Sequence, residues 1–273
     1  MTRDIERVPA RSGFSHVDAT PDPDWHVQYL DRAAMVPMIA EWKQIACGLL
    51  DLQRGNQVLD AGCGTGDDVR AYARLVGPAG RVVGVDRSIR MVTGAHARAA
   101  SSLLPVAFAQ ASLVALPFAD GTFDCGRAER VFHHLDDPGT ALAELVRVTR
   151  SGGAIVVMDA DLDTIIIDAT DRDVTRRIVH FAAEARAQPW GARQLPALFR
   201  HAGLREITVI PLTQIVTRLR DSDVNGDVAA MACSAGVITV DEAAAWTADL
   251  EQRDAAGDYL QTMTLFTVAG RKS

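Results

Sequence analysis

A glycine-rich stretch, "VLDAGCGTGDD" at residues 58–68, carries the clearest chemical pattern in the sequence. Glycines at positions 62, 64 and 66 let the backbone turn sharply and approach a ligand with no Cβ in the way. A helix that starts near Thr65 would point its free N–H groups and the positive end of its dipole at that ligand. The stretch therefore predicts a loop that binds a small molecule through its backbone.

The acids around this loop indicate which ligand it binds. Asp86, at the end of the next predicted strand and 20 residues after Gly66, is placed to bond the two hydroxyls of a ribose. The glycine spacing is GxGxG rather than the GxGxxG of dinucleotide sites, and Asp60, Asp67 and Asp68 would repel a pyrophosphate but attract a cation. The pattern favours a positively charged nucleoside without phosphate. S-adenosylmethionine, with its sulfonium, ammonium and ribose diol, fits that description.

The rest of the chain supplies the elements that must hold this loop. Short apolar runs alternate with amphipathic helical stretches up to about residue 163, which predicts a parallel sheet with helices on both faces. Strands are predicted at 57–62, 81–86, 105–110, 122–129 and 154–160, with a helix at 139–153 between the fourth and fifth strands. Further on we predict helices at 171–186, 192–202 and 222–256, a strand near 205–212 and a last strand in the tail. A short helix in the polar arm that opens the chain, around residues 24–35, completes the pattern.

Length, charge and cysteine usage exclude several classes of protein. The 273 residues suffice for one sizeable α/β core, and 48% hydrophobic with 23% charged residues is ordinary for a globular protein. A net charge of -7 argues against a nucleic-acid partner. We find no signal peptide and no run of about 18 apolar residues, so we expect no membrane association and a cytoplasmic location. The four cysteines lie far apart, which fits a reducing compartment and neither a disulfide framework nor a zinc site.

Four motifs occur in order between residues 40 and 160: "VLDAGCGTG", "VVGVDRS", "ALPFADGTFDCGRAERVFHHLDDP" and "ALAELVRVTRSGGAIVVMD". Together they resemble the Rossmann-like S-adenosylmethionine-dependent methyltransferases, in particular the small-molecule branch similar to ubiquinone and menaquinone methyltransferases. The resemblance implies an α/β three-layer sandwich with a seven-stranded, mostly parallel sheet whose last strand is antiparallel. It further implies one methyltransferase domain over residues 1–273. Within it we expect an N-terminal lid at 1–34, a cofactor-binding core at 35–160 and a substrate-side half with cap helices at 161–273.

The resemblance also assigns residues to the cofactor, S-adenosylmethionine. Gly62 and Gly64 would lie against its methionine part, Asp60 near its ammonium group and Asp86 at its ribose hydroxyls. Ser112 stands where the family often carries an acid beside the adenine, and a hydroxyl is a weaker acceptor than a carboxylate there. The full set of expected cofactor contacts is Asp60, Gly62, Cys63, Gly64, Asp86, Arg87, Ser112, Leu113 and Glu129.

Two histidines follow the fourth strand, where the family presents the reacting methyl group. His133 and His134 match a histidine pair of related small-molecule enzymes, and Asp159 matches the acid after the fifth strand. A histidine with a pKa near neutrality could take the acceptor's proton, with Asp159 fixing its tautomer. The alternative is that the pair begins a helix and packs beneath the cofactor.

Two further groups are candidates for contacts with the ligands, with ordinary packing as the alternative for both. The first, Trp25, His26 and Tyr29, could form a lid over the cofactor, and Tyr29 is also a candidate substrate contact. The second opens the helix predicted at 192–202, in the part where the family carries substrate-binding insertions, and consists of Trp190, Arg193 and Gln194.

Asp159, Asp161 and Asp163 alternate in "DADLD" in a way that resembles a metal cluster. No further ligand is spaced to complete such a site, so we expect a solvated strand end and no metal.

These observations predict a methyltransferase that acts on a small molecule, of the kind found in secondary metabolism, with O-methylation ahead of C- and N-methylation. A rival is the same fold retained for a non-methylating reaction such as a cyclisation. Methylation of RNA or protein would call for a basic face or an added domain, and the acidic balance disfavours it. For the oligomeric state, a homodimer is the expectation.

Overall fold

The computed structural model describes residues 13–35, 37–222 and 224–273. The first part of the predicted N-terminal arm, residues 1–12, lies outside the described residues. A 3-10 helix, Phe14–Ala19, opens the described chain. It is followed by helices α1 (Pro23–Ala34) and α2 (Pro37–Leu50).

The cofactor half alternates strands and helices as predicted. Its elements are β1 (Gln57–Ala61), α3 (Asp67–Val76), β2 (Arg81–Asp86), α4 (Ile89–Ala99), β3 (Val106–Gln110), β4 (Phe123–Glu129), α5 (Pro138–Val148) and β5 (Thr149–Ile167). Helix α5 ends at Val148 rather than near Gly152, so the prediction of a helix through residue 153 is wrong. Thr149 begins β5, which pairs with β4 through Phe123↔Thr149 and accounts for the earlier end of the helix.

The second half contains α6 (Arg172–Glu184), α7 (Gly191–His201), β6 (Arg205–Val216), α8 (Gly226–Ser234), α9 (Val240–Ala256) and β7 (Gln261–Arg271). The single stretch predicted at 222–256 is therefore two helices. Thr239 divides them by capping α9 in a reciprocal capping box with Glu242.

The seven strands form one sheet in the order β3-β2-β1-β4-β5-β7-β6. Strands β1 to β5 pair in parallel, while β7 runs antiparallel to both β5 and β6. The expected Rossmann-like sheet with an antiparallel last strand is thus confirmed. Strand order reverses between β1 and β4, and in open α/β sheets ligands bind outside the carboxyl ends of the strands at this point.

Helices cover both faces of the sheet. On one face α2 and α3 pack through Trp42 and Tyr72, and the Trp42 indole N–H donates to Thr267 Oγ1 of β7 at 2.6 Å. On the other face α5 and α7 bury Leu145 and Phe199. A third apolar cluster joins α6, α8 and α9 beside the end of β5. Within the described ranges, none of the helices combines the length and the apolar character that a bilayer crossing requires.

Candidate active site

The glycine loop connects β1 to α3 at the carboxyl end of the sheet. Gly62, Gly64 and Gly66 have φ of 79°, 51° and 75°, in the left-handed region that side chains disfavour. A Cβ on Gly62 would lie 2.2 Å from Val131 Cγ2, and one on Gly64 would lie 2.9 Å from Leu30 Cδ1. The loop therefore needs glycine for its backbone conformation and for close packing against the segment after β4 and against α1.

Asp86 ties this loop to the end of β2. Its carboxylate accepts from the backbone N–H of Gly64 and from that of Ser88, both at 2.9 Å. Burial raises the pKa of Asp86, although these two hydrogen bonds act in the opposite direction. Ser88 caps α4 by accepting from Met91 N–H.

The remaining expected adenosine contacts follow the ends of β2 and β3. Arg87 and Ser112 are exposed, whereas Leu113 is buried. The N–H of Ala111 donates to the Asp86 carbonyl at 3.0 Å, which brings the Ser112 segment next to the end of β2. The structure thus places Arg87 and the segment that carries Ser112 and Leu113 next to Asp86, as predicted for the adenosine end of the site.

Asp60 and Glu129 lie beside a buried arginine that the sequence reading missed. Arg127 of β4 is fully buried and pairs in register with Asp60 of β1. Its Nη1 lies 2.8 Å from Asp68 Oδ2, its Nη2 contacts Glu129 Oε2, and its Nε lies 3.7 Å from Asp60 Oδ1. The sequence signal for Arg127 is its position two residues before Glu129, which puts both charged side chains on the same, otherwise apolar face of the strand.

This arginine cluster perturbs the acids around it. Burial raises the pKa of Asp60 to about 7, against the opposing effect of Arg127. For Asp68, burial alone would raise the pKa, but Arg127 and Lys43 together lower it well below its usual range. Asp68 is therefore a fixed carboxylate, while Asp60 changes its charge close to neutrality.

Asp18, in the 3-10 helix that opens the described chain, binds the amino end of α4. Its carboxylate accepts from Ser88 Oγ at 2.6 Å and from the N–H groups of Ile89 and Arg90 at 2.9 and 3.1 Å. These bonds satisfy orphan donors at the start of the helix. They place the described part of the arm directly beside Asp86.

Helix α1 makes two further acid–arginine contacts with α4. Asp24 accepts from Arg90 Nε at 2.8 Å, and Asp31 accepts from Arg98 Nη2 at 2.9 Å. Arg98 also donates to Thr65 Oγ1 of the glycine loop at 2.8 Å. We use the name lid, which is the predicted role of this segment, for residues 13–34; three of its acids hold it against α4.

His133 and Asp159 meet at the ends of β4 and β5. Asp159 is fully buried and its Oδ1 contacts His133 Nδ1, while its Oδ2 accepts from the His133 N–H at 3.0 Å. When Asp159 accepts from Nδ1–H, Nε2 is left as the nitrogen that can take a proton. Of the two predicted histidines, His133 is the one in contact with Asp159.

His134 lies against His133, with ring centroids 3.9 Å apart. Burial lowers the pKa of His134 well below its usual value, and the charges of His133, Arg186 and Arg130 add to this effect. Phe14 of the lid lies 5.9 Å from the His134 ring, and the Gln188 N–H donates to the His133 carbonyl at 3.0 Å. The lid and the α6–α7 loop therefore meet at the histidine pair.

The aromatic candidates of the lid and of α7 have different surroundings. In the lid, Tyr29 stacks on Trp25 at 5.5 Å, and His26 is buried edge-on to Phe14. Trp190 is 43% exposed at the start of α7. Whether any of them contacts a substrate stays a prediction.

Asp161 is not part of a solvated strand end, and that expectation is wrong. It is fully buried, and both of its oxygens accept from Arg193, with Nη2–Oδ1 at 2.6 Å. Asp163 is exposed and lies 3.2 Å from the same guanidinium. A strand end can bury a carboxylate when a helix opposite supplies its counter-charge. Arg193 thus joins α7 to β5, and its predicted contact with substrate stays a prediction.

Among the residues that the structure describes, no three His, Cys, Asp or Glu side chains form a group that could hold a metal ion.

A sheet of this order, with a glycine loop after β1 and an acid at the end of β2, defines the class I S-adenosylmethionine-dependent methyltransferases. Residues 59–157 match the family model of the methyltransferase domain. The chain belongs to this class, and its cofactor is S-adenosylmethionine.

Within the class the chain is similar to the quinone methyltransferases. It is 33% identical over 120 residues to the ubiquinone/menaquinone biosynthesis C-methyltransferase UbiE of Saccharophagus degradans, covering 43% of this chain and 48% of that protein. It is 33% identical over 278 residues to an uncharacterised 37.1 kDa protein in transposon TN4556 of Streptomyces fradiae, covering 99% of this chain and 77% of that protein. The crystal structure of the Bacillus subtilis YcgJ protein shares the fold, with a TM-score of 0.58 at 20% identity over 86% of this chain and 97% of that one.

Features of the site fit this cofactor. The loop turns through three glycines at positive φ, and Asp86 stands at the end of β2 for a ribose diol. Glu129 Oε1 is buried and accepts no hydrogen bond from the described residues, which leaves an acceptor for a donor such as an ammonium group. Three acids, Asp60, Asp68 and Glu129, surround this end of the loop and suit a ligand that carries positive charge.

Proposed function

We propose that this methyltransferase acts on a small molecule that carries an acidic hydroxyl group, and that His133 takes the hydroxyl proton. The observation that supports this is the buried contact between His133 and Asp159 at the carboxyl ends of β4 and β5. A carboxylate that holds Nδ1–H stabilises the imidazolium formed when Nε2 accepts a proton. His134, whose pKa burial lowers, stays neutral at physiological pH and contributes a polar but uncharged wall.

The cofactor would be held by the expected residues around the glycine loop, with Asp86 at the ribose and Glu129 at the ammonium end. When bound, it supplies an activated methyl group on a sulfonium that leaves as a neutral thioether. The chain's own part is to align the acceptor with that methyl group, remove the acceptor proton and exclude water. The lid suits the last task, because Leu30 and Asp18 lie directly on the loop and on the start of α4.

For the atom that receives the methyl group, we favour a ring carbon next to the acidic hydroxyl. The support is the name of the relative from Saccharophagus degradans, a quinone-biosynthesis C-methyltransferase. Deprotonating a phenol or enol makes both its oxygen and its neighbouring carbon nucleophilic, so the same dyad serves O-methylation. Oxygen, which the sequence reading favours, is therefore the second candidate.

The division of the chain follows from this site. Residues 13–34 would act as the lid, residues 37–160 would bind the cofactor, and the half from 161 onward would bind the acceptor. Helices α6, α8 and α9 pack beside the end of β5, the strand that carries Asp159, which supports a cap over the acceptor.

The test is methyl transfer from S-adenosylmethionine with a ¹³C-labelled methyl group to a panel of hydroxyquinols, phenols, enols and carboxylic acids. The chemical shift of the labelled methyl group in the product distinguishes attachment to carbon from attachment to oxygen. Transfer to a hydroxyl-bearing acceptor, with loss of that transfer in His133→Ala, would support the proposal. Cofactor binding with transfer to none of the acceptors would contradict it and favour the fold's use for another reaction.

A further inference from the structure

A cluster of five charged side chains lies under the glycine loop, between β1, β4, α2 and α3. Its members are Lys43, Asp60, Asp68, Arg127 and Glu129. Side-chain exposure ranges from 0% for Arg127 to 23% for Lys43. Taking so many charges out of water is unfavourable unless each is well compensated. The positions of the counter-charges therefore show which of the carboxylates are fully compensated.

The three carboxylates are compensated unequally. Asp68 lies 2.7 Å from Lys43 Nζ and 2.8 Å from Arg127 Nη1. Glu129 contacts Arg127 through Oε2, and its Oε1 lies 3.3 Å from Arg130 Nε and 3.8 Å from Lys43 Nζ. Asp60 faces Arg127 Nε at 3.7 Å, beyond hydrogen-bond distance, although its side chain is only 4% exposed.

Arg127 suits this position better than a lysine would. Its planar guanidinium reaches Asp68 on α3 and Glu129 on β4 with different nitrogens, which a single ammonium cannot do. Its Cζ also lies 5.3 Å from the centre of the Tyr72 ring, a cation–π distance that fixes the plane of the fork.

We propose that Arg127 is a positioning residue that sets the charge of the cofactor site. It holds Asp68 and Glu129 in fixed ion pairs and leaves Asp60 as the carboxylate that responds to the positive charge of a bound sulfonium cofactor. The protein then binds S-adenosylmethionine more tightly as the pH rises, and S-adenosylhomocysteine follows the same trend, because it keeps the ammonium group that Asp60 is expected to face. The inference rests on the cofactor site and not on the identity of the acceptor.

The pH dependence follows from the groups that surround Asp60. They are Arg127 and Glu129 on β4, Asp68 and Tyr72 on α3, Lys43 on α2, and the Cys63 thiol of the loop. Burial raises the pKa of Asp60 to about 7, that of Asp68 is low, and those of Tyr72 and Cys63 are raised by burial. Of these four groups, Asp60 is the one that changes charge between pH 6 and 8.

The experiment is calorimetric binding of S-adenosylmethionine and of S-adenosylhomocysteine at pH 6, 7 and 8, without any acceptor. We compare the wild type with Asp60→Asn, because the ratio of their affinities cancels the titration of the ligand itself. From pH 6 to 8 this ratio should rise about tenfold for S-adenosylmethionine, as for one proton released per ligand bound. For S-adenosylhomocysteine, which carries the same ammonium group, the ratio should rise in the same direction.

Two arginine variants test the positioning role. In Arg127→Met the carboxylates lose their shared cation, so Asp60 should ionise at higher pH and the affinity for S-adenosylmethionine at pH 7 should fall by more than about tenfold. Arg127→Lys should recover part of this loss, because it restores the charge but not the fork. Thermal unfolding of each variant reports whether it is folded.

Lys43→Met keeps the inference testable if the arginine variants do not fold, because Lys43 is partly exposed. It should shift the pH dependence in the same direction as Arg127→Met, by a smaller amount. Arg177→Met, which removes a cation paired with Glu242 on the cap, is the matched control and should change neither affinity. A wild-type to Asp60→Asn ratio independent of pH, or an unchanged pH dependence in folded Arg127→Met or in Lys43→Met, would overturn the inference. Normal binding behaviour here with no methyl transfer would instead point to a failure of the proposed function.

Discussion

In the proposed mechanism, His133 and Asp159 are the residues on which the chemistry depends most directly. The carboxylate binds the imidazole Nδ1 and the His133 backbone N–H, so it fixes both the tautomer and the position of the ring. General-base catalysis contributes about 10²–10⁴-fold to rate. We therefore expect His133→Ala and Asp159→Asn to lower kcat by about that factor, with little change in the Kd for S-adenosylmethionine.

His134→Ala is the matched control for this prediction. Its ring contacts His133 but makes no contact with Asp159 among the described residues, so the loss of kcat should be much smaller. Steady-state kinetics and calorimetric binding on the same preparations make the comparison. Equal losses in the two histidine variants would contradict the assignment of His133 as the base.

Gly62 offers a second test at the scale of one residue. Its φ is 79°, and a Cβ there would lie 2.2 Å from Val131 Cγ2. Gly152 has φ of 78° but nothing within 4 Å of its ideal Cβ. Both alanine variants incur the left-handed penalty of about 1–2 kcal/mol, and Gly62→Ala adds overpacking of about 1–3 kcal/mol. Urea unfolding should show the larger loss for Gly62→Ala, and equal losses would mean that Val131 moves aside freely.

At the scale of elements, the lid is held to α4 by acid contacts. Burial alone would raise the pKa of Asp18, but hydrogen bonds from Ser88, Arg90 and Ile89 outweigh it and lower the pKa. A carboxylate with a lowered pKa contributes its stabilisation at neutral pH and loses it as the pH falls through that value. The contact between the lid and α4 is therefore present under physiological conditions.

Asp18→Ala should loosen this contact. We expect faster amide hydrogen exchange over residues 13–34 and roughly a threefold or larger increase in the Kd for S-adenosylmethionine, because charge-assisted hydrogen bonds to α4 are lost. Asp120→Ala removes an exposed acid paired with Arg147, away from the lid, and serves as the control. Unchanged exchange and unchanged Kd in Asp18→Ala would show that other contacts hold the lid.

At the scale of the whole molecule, Asp60 affects how stability varies with pH. Its folded-state pKa of about 7 lies above the ordinary aspartate value, so the folded state keeps a proton that the unfolded state has lost. The free energy of unfolding should therefore fall as the pH rises from about 4 to 7, by up to about 1.4 kcal/mol per pH unit from this group.

Asp60→Asn should remove that dependence. The free energy of unfolding of the variant minus that of the wild type should therefore be larger at pH 8 than at pH 5. Denaturant unfolding at both pH values measures the difference, with Asp120→Asn as an exposed control. A difference between Asp60→Asn and the wild type that is the same at both pH values would show that Asp60 does not carry the raised pKa.

Much of this molecule could be predicted from the sequence, because the relevant signals are local. Apolar runs and amphipathic stretches predict the seven strands and most of the helices, and the family resemblance implies an antiparallel last strand. The glycine spacing and Asp86 identify the loop, since a tight turn and an acid at the next strand end are short-range patterns. The proximity of His133 to Asp159 was predictable too, because the ends of neighbouring parallel strands meet at one edge.

The tertiary structure decided which charges meet. Arg127 contacts Asp60 and Asp68 only because strand register and the packing of α3 bring them together, and no sequence spacing records that. Asp161 is buried because Arg193, 32 residues away, reaches it from α7. Asp18 meets α4 across 70 residues in the same way. Local patterns determined the elements and the loop of this protein, whereas long-range packing set the burial, and through burial the ionisation, of the acids around its site.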